Sequence, residues 1–223
     1  MEKARRLRVA AWVVGPLGVL LLIASLVWLR TGYLLSEVRG DSMSPTYGVG
    51  DRLVLERIGG AEVRRGDVVL YTAPERYQSA PVVQRVIGVG GDRVVCCSGL
   101  GTTHERIVVN GRALDEPYVR DGVGDGTHRP YDVRVPEGRV FLLGDHRSNA
   151  RDSRAFPDDH GGTVPLGAVQ GRVTDQRMVP GLLGAVAFLG LVLAVVGTAL
   201  AVAARAARRR PAALTSTLWP GHL

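Results

Sequence analysis

The sequence predicts a mostly antiparallel β domain carried between two apolar helices, one near each end of the chain. Three observations support this class. Two uncharged apolar stretches flank the middle of the chain, at residues 9–29 and 179–204. The region between them contains short runs rich in Val, Ile and Leu, bounded by Gly, Pro and Asp. No apolar segment of that region has a sustained helical period, which favours strands.

The charge of the chain lies at its two ends. The 223 residues carry a formal net charge of +7, a value that suggests nucleic acid or an anionic surface as partner. Residues 1–8 contribute +3 and residues 205–223 contribute +4, so the chain between them is formally neutral. A nucleic-acid partner is therefore not expected. Lys3 is the single lysine among 28 basic residues.

Each basic tail borders a stretch that can cross a membrane. Residues 9–29 are long enough to span a hydrocarbon core of about 30 Å as a helix, and Pro16 and Gly18 are tolerated there. The alternative is a cleavable signal peptide, but the apolar core ends in Trp-Leu-Arg-Thr without a small-x-small cut site. Residues 179–204 are 26 apolar residues, for which the alternative is a buried core helix. We interpret both stretches as retained transmembrane helices.

Basic clusters stay on the cytoplasmic side of a membrane, which predicts the topology. The tails at 1–8 and 205–223 are expected in the cytoplasm, and residues 30–178 are expected outside the plasma membrane. The lipid bilayer is thus a predicted partner, with anionic head groups as secondary contacts of the tails.

Six runs between the helices are predicted strands, and Asn110-Gly111 predicts a hairpin within the fifth. The runs are 51–58, 67–73, 81–89, 92–97, 106–114 and 139–144.

Cys96 and Cys97 are adjacent, and a disulfide between sequence neighbours is strained. We therefore expect two thiols on opposite faces of a strand. Neither a metal site nor a cofactor is predicted, because the chain has no CxxC or HxxxH spacing and its histidines are dispersed.

Polar residues cluster in two places. Ser42 lies in GDSMSPT at 40–46, where a serine between Gly and Pro is also ordinary turn chemistry. The second cluster, GDHRSNARDSR at 144–154, follows an apolar run and predicts an ion-pair network, the alternative being a solvated charged loop. Its charged members are Asp145, Arg147, Asp152 and Arg154.

These motifs resemble those of type I signal peptidases, membrane-anchored serine endopeptidases that remove signal peptides from exported proteins. The matching blocks follow in order: an N-terminal anchor, VRGDSMSPT, GDRLVLERI with RGDVVLY, QRVIGVGGDRV and FLLGDHRSNARDSR. The resemblance covers residues 9 to about 173. It implies a signal peptidase-like β fold, Ser42 as nucleophile, and a substrate held extended with small side chains before the cut. The second apolar stretch departs from the simplest members of the family.

Two positions depart from the family's catalytic pattern. The lysine that activates the serine is replaced by Gln84, although Arg85 and Asp92 of that block match. An amide cannot take the serine proton, and Lys3 lies across the membrane. The serine that orients the lysine is replaced by Ala150, whereas Asp152, Ser153 and Arg154 remain.

Without the lysine and the orienting serine, few groups are expected to assist Ser42. The oxyanion donor implied for this chain is the backbone N–H of Ser42, because Gly40 has no hydroxyl. His146, inside the second cluster, is the alternative base.

Two functions follow for the chain. The first is a serine endopeptidase that removes signal peptides from membrane-tethered preproteins at the outer membrane surface. The second is a catalytically impaired relative that binds signal peptides or assists an active paralogue. In either case, edge strands around 38–43 and 80–86 are expected to pair with the extended substrate. Ser42 follows Arg30 by only 12 residues, which limits its distance from the bilayer to about 40 Å. The sequence predicts no oligomeric state.

Overall fold

The structure, a computed structural model, describes residues 2–59, 62–175 and 178–209. Three helices and eleven strands occur in these ranges: α1 Glu2–Gly32, β1 Tyr33–Glu37, β2 Arg52–Glu56, β3 Val68–Thr72, α2 Pro74–Tyr77, β4 Pro81–Val89, β5 Arg93–Ser98, β6 Arg106–Val109, β7 Arg112–Ala113, β8 Tyr131–Arg134, β9 Arg139–Leu143, β10 Val164–Pro165, β11 Val169–Val173 and α3 Met178–Arg209. Short 3-10 turns lie at Arg120–Gly122, Ser153–Ala155, His160–Gly162 and Leu166–Ala168. The helices α1 and α3 belong to one compact unit and the strands to another.

Both long helices are apolar over a membrane-spanning length. The qualifying segments are Arg5–Gly32 and Met178–Ala206, in which an 18-residue window reaches a mean hydropathy of 2.3 and 2.6 respectively. Most of their large apolar side chains are exposed, as Trp12 and Phe188 are. Each helix extends beyond the apolar stretch that predicts it, because flanking arginines and alanines are good helix formers.

The larger sheet has seven strands in the order β1-β2-β11-β3-β4-β9-β10, and the described pairs are antiparallel. Strand β4 pairs with β3 from Pro81 to Arg85, but it pairs with β9 only from Arg85 onward. The first four residues of β4 therefore have a strand partner on one side only.

The smaller sheet has four strands in the order β7-β6-β5-β8. The predicted hairpin lies between β6 and β7, where Val109 faces Arg112. Asn110 and Gly111 have φ values of 51° and 78°, which suit a two-residue type I′ turn. The smaller sheet packs its buried residues with those of β9 in one apolar cluster, including Ile107 and Phe141.

The mostly antiparallel fold class is confirmed, and all six predicted strand segments contain strands. The sequence interpretation missed β1, β8, β10, β11 and α2. Strands β8 and β11 read YDVR and VQGRV, in which polar residues interrupt the apolar pattern. The expected edge strand at 38–43 is absent from the described fold, because β1 ends at Glu37 and residues 41–46 turn.

The expectation of two free thiols was wrong. Cys96 and Cys97 form a disulfide, across a cis peptide bond, with their Cα atoms 3.1 Å apart. The expectation assumed regular alternation along β5. The register of β5 with β6 shifts between Val95 and Ser98, so the pleat that separates neighbouring side chains is interrupted there.

Arg76 ties α2 to the segment after the second polar cluster. The guanidinium is buried and donates to the Asp159 carboxylate and to the carbonyls of Gly162 and Thr163. It also lies 4.7 Å from the centroid of the Phe156 ring. These bonds satisfy buried carbonyl oxygens that strands do not pair.

We predict that Arg76→Met lowers the free energy of unfolding by about 2 kcal/mol, because it leaves the buried Gly162 carbonyl without its donor and removes one of the two donors to Thr163 O. The measurement is denaturant unfolding of the full chain in detergent. Arg93→Met is the matched control, since its pair with Asp132 is exposed, and it should behave nearly as wild type. Equal losses in the two variants would contradict the assigned role of Arg76.

Candidate active site

Ser42 lies in a tight turn directly after β1. The turn is closed by backbone bonds from Ser44 N to Asp41 O at 3.2 Å and from Tyr47 N to Met43 O at 2.9 Å. The Met43 side chain is buried, so it anchors the turn. Pro45 follows a cis peptide bond. Together these contacts fix the backbone on both sides of the Ser42 hydroxyl.

A groove of about 620 Å³ ends at this turn. One wall is formed by residues 35–40 and the other by residues 80–83, with Ser42 and Met43 between them. Residues 81–83 belong to the part of β4 that pairs only with β3. The groove thus offers unpaired backbone groups along one wall, which is the arrangement that an added peptide strand uses.

Gln84 follows this wall, and both polar atoms of its amide are hydrogen-bonded. Oε1 accepts a hydrogen bond of 2.7 Å from the Tyr71 hydroxyl, and Nε2 donates one of 2.9 Å to Arg151 O. The side chain is completely buried. Neither amide atom is bonded to Ser42. Burial raises the pKa of Tyr71, with a smaller contribution from Tyr77, so this phenol is not a base at neutral pH either.

Asp145 joins three segments beneath the turn. Its buried carboxylate receives Arg85 Nε at 2.9 Å and Nη2 at 2.6 Å, and it also accepts from the Thr46 hydroxyl. Burial lowers the pKa of Arg85, but the hydrogen bonds and charge of Asp145 outweigh it and the pKa is raised. Arg85 therefore stays charged, and its pair with Asp145 holds β4 against the Ser42 turn.

Arg147 is buried and connects the loop at 144–154 to Glu116 and to the backbone of Gly124. It donates to Glu116 Oε1 at 2.6 Å, to Gly144 O at 2.9 Å and to Gly124 O. Glu116 was not identified from the sequence, because nothing in its local pattern marks it as a partner of residue 147.

Asp152, Ser153 and Arg154 form the end of the loop. Asp152 receives Arg154 at 2.6 Å and Gly144 N at 3.2 Å. The Ser153 hydroxyl accepts from Leu142 N at 3.0 Å, which fixes the loop to β9. Arg154 also pairs with Asp125 at 2.9 Å. The predicted ion-pair network is thus present, and the alternative of a solvated loop is wrong.

Ala150 lies beside the backbone of Ser42. A Cβ atom built on Gly144 would be 2.4 Å from Ala150 Cβ and 2.5 Å from Ser42 O, so the three residues meet at one point. The methyl group of Ala150 offers no hydrogen bond there. The predicted residues of both clusters are therefore neighbours in the fold.

His146 is held against the turn by two contacts. Its backbone N donates to Ser42 O at 3.0 Å, and its Nδ1 lies 2.8 Å from Asp41 Oδ2. Arg120 Nη1 lies 3.2 Å from the same Asp41 oxygen. A carboxylate on Nδ1 favours the tautomer that leaves the lone pair on Nε2. Asp41 was not singled out from the sequence, although it precedes Ser42.

The space around Gly40 is open. A Cβ atom built there would meet nothing within 4 Å among the described atoms. A side-chain hydroxyl at this position would fit the groove, but glycine supplies none. In the described ranges, no group of three His, Cys, Asp or Glu residues is arranged to hold a metal ion.

The fold and the groove define a class of protein: a mostly antiparallel β domain with a peptide-sized groove that ends at a serine. The chain belongs to the signal peptidase family, peptidase S26, whose sequence model matches residues 7–176. The resemblance drawn from the sequence motifs is thereby confirmed, and the family is one of serine endopeptidases.

Two relatives of known family are similar in sequence to this chain. Signal peptidase I of Bacillus caldolyticus is 34% identical over 156 residues, which are 64% of this chain and 78% of that protein. Signal peptidase IB of Staphylococcus aureus is 33% identical over 136 residues, 53% of this chain and 66% of that protein. The crystal structure of a signal peptidase I from Enterococcus faecalis V583 has a TM-score of 0.39 and 25% identity, covering 51% of this chain and 97% of that one.

We predict that the Asp125–Arg154 pair makes stability depend on pH. Burial raises the pKa of Asp125, but the Thr127 hydroxyl and Arg154 outweigh it, and the pKa is lowered. A carboxyl whose pKa is lower in the folded state stabilises the fold above its unfolded pKa of about 4, and this stabilisation is lost as the pH falls further.

The test is denaturant unfolding of Asp125→Asn between pH 7 and pH 2. The variant should be less stable than wild type by about 2 kcal/mol at pH 7, with the difference shrinking below pH 4. Asp121→Asn, in an exposed turn, is the control and should follow wild type throughout. A difference that stays constant with pH would rule out the electrostatic role.

Proposed function

We propose that this protein is a membrane-anchored signal peptidase-type protein that receives the cleavage region of exported preproteins in its groove. The observation that carries the proposal is the groove itself, bounded by residues 35–40 and 80–83 and ending at Ser42. Family membership supplies the class of substrate, a preprotein with a signal peptide.

The membrane arrangement is part of the proposal. Residues 9–29 and 179–204 cross the plasma membrane, the tails at 1–8 and 205–223 lie in the cytoplasm, and residues 30–178 lie outside. Two apolar helices of sufficient length and the family relationship support an anchored protein. The distribution of arginine supports the orientation.

Recognition relies on the backbone of the groove. An extended peptide that pairs with residues 81–84 would gain main-chain hydrogen bonds, while its alternate side chains face the walls. Val82 and Val83 line one wall and Val38 the other, so the groove suits small apolar side chains. None of this requires a base.

Turnover is limited by the missing base. Attack of Ser42 Oγ on a peptide carbonyl forms the C–O bond and must release the hydroxyl proton to an acceptor. Gln84 has no basic lone pair, and its amide is bonded to Tyr71 and Arg151. Ala150 removes the second hydroxyl of the family's pattern. We infer that the chain binds signal peptides well and cleaves them slowly, with Ser42 as nucleophile.

The surrounding charged residues act as positioning groups in this proposal. Asp145 and Arg147 hold the turn and the loop together, while Asp152, Ser153 and Arg154 fix the loop to β9. They would serve binding and catalysis alike.

A second candidate is a more active endopeptidase with His146 as base. The observation that favours it is the 2.8 Å contact between His146 Nδ1 and Asp41, which leaves Nε2 able to accept a proton. The backbone bond from His146 N to Ser42 O keeps the imidazole close to the nucleophile's residue.

We predict that Gln84→Lys with Ala150→Ser raises the cleavage rate about 100-fold or more, because a base and its orienting hydroxyl are restored. The measurement is the appearance of mature product from a preprotein in proteoliposomes. Gln170→Lys, on an exposed part of β11, is the matched control and should leave the rate unchanged. A wild-type rate equal to that of the double variant would disprove the missing base. Ser42→Ala leaves both walls of the groove unchanged and should still bind the preprotein. If it does not bind, the proposal that the groove walls recognise the preprotein is wrong.

For the second candidate, we predict that His146→Gln abolishes whatever cleavage wild type performs, while preprotein binding is retained. His104→Gln, in an exposed loop outside the site, serves as the matched control and should cleave at the wild-type rate. If His146→Gln cleaves at the wild-type rate, the imidazole is not the base.

A further inference from the structure

We propose that the ends of α1 and α3 form a binding site for the head group of an anionic phospholipid. The site is a cleft lined by Arg8, Ala11 and Trp12 of α1 and by Ala201, Ala204 and Arg205 of α3, and we call it the arginine cleft. It belongs to the helical unit, whereas the groove that ends at Ser42 belongs to the β unit. The inference rests on the proposed membrane orientation, which places these helix ends at the cytoplasmic face.

The cleft exists because the two helices pack closely and in opposite directions. A Cβ atom on Gly197 would lie 2.4 Å from Gly15 Cα, and one on Gly190 would lie 2.6 Å from Leu22 N. Residue numbers thus rise along α1 as they fall along α3. Glycine at both contacts allows the backbones to touch, as in paired membrane helices. The start of α1 is consequently beside the end of α3.

Small side chains shape the floor of the cleft. Ala11 and Ala204 are 8% and 1% exposed, and the enclosed volume is about 160 Å³. A second hollow of about 430 Å³ adjoins it along α1, because Arg8 and Trp12 line both. Arg5, Val9 and Val13 complete the lining of this second hollow. The head group of a lipid would occupy the arginine cleft, and the start of its acyl chain would occupy the second hollow.

The charges of the two hollows favour an anionic ligand. Arg5, Arg8 and Arg205 line the hollows, and none of them pairs with a carboxylate among the side chains that the structure describes. Guanidinium groups bind phosphate oxygens through paired N–H donors. A phosphate between them would relieve the repulsion of like charges.

The apolar lining favours a lipid over free phosphate. Trp12 is 78% exposed, Val9 59% and Val13 60%, and all three lie within five residues after Arg8 on α1. Exposed indole at the border of an apolar helix suits the level of lipid head groups. Inorganic phosphate would leave this apolar surface uncovered, whereas an acyl chain would cover it.

The experiment counts lipids on the full-length protein by native mass spectrometry after extraction from nanodiscs. The nanodiscs contain phosphatidylglycerol and phosphatidylcholine with the same acyl chains. We expect wild type to retain phosphatidylglycerol selectively, and Arg8→Gln with Arg205→Gln to retain it about tenfold less. Arg30→Gln with Arg57→Gln, which removes the same charge outside the cleft, should behave as wild type.

Three results would overturn the proposal: equal retention of the two lipids by wild type, equal losses in the two double variants, or displacement of the lipid by excess inorganic phosphate. Protease protection of tags on both termini is measured in parallel. Termini on the outer side would refute the proposed orientation, while selective retention that depends on Arg8 and Arg205 would still support the site. The lipid count does not use cleavage, so an inactive Ser42 does not affect it.

Discussion

The candidate site depends on one buried carboxylate. Asp145 receives Arg85 from β4 and Thr46 from the end of the Ser42 turn, while its own loop carries His146 against Ser42 O. A buried charge is stable only when it is paired and hydrogen-bonded, so these three segments are held in one arrangement. The groove wall, the serine turn and the supporting loop cannot shift separately without exposing an unpaired charge.

In the proposed function, substrate recognition and proton transfer depend on different parts of the structure. The groove is built from the backbone of residues 35–40 and 80–83, and its shape depends on strand pairing. Proton transfer, in contrast, would depend on one or two side chains at the end of the groove. Gln84 shows how the proton acceptor can be lost while the groove is kept. Its amide fills the buried position and forms hydrogen bonds with the Tyr71 hydroxyl and with Arg151 O. Glutamine in place of the family's lysine thus keeps the buried side chain hydrogen-bonded and the groove walls intact, but it provides no basic group.

The two units use arginine for different purposes. In the β unit, Arg76, Arg85, Arg147 and Arg154 are largely buried, and each is matched by a carboxylate. In the helical unit, Arg8 and Arg205 line a cleft without a described carboxylate partner. Guanidinium suits both settings, because its planar donors bind carboxylates within a protein and phosphates at its surface. The same residue type therefore stabilises the fold in one unit and leaves charge available for an external anion in the other.

The sequence by itself determined the two apolar helices, six strand segments, the Asn110-Gly111 hairpin and the two polar clusters, because these follow from local composition and period. It also indicated the family and the unusual residues Gln84 and Ala150. Only the tertiary structure decided which distant groups meet. The sequence around Glu116, Asp125 and Tyr71 does not indicate which residues they contact. Strands β8 and β11 form because neighbouring strands supply hydrogen bonds, although their own polar sequences do not predict strands. The Cys96–Cys97 disulfide likewise depends on a break in strand register that no local pattern encodes.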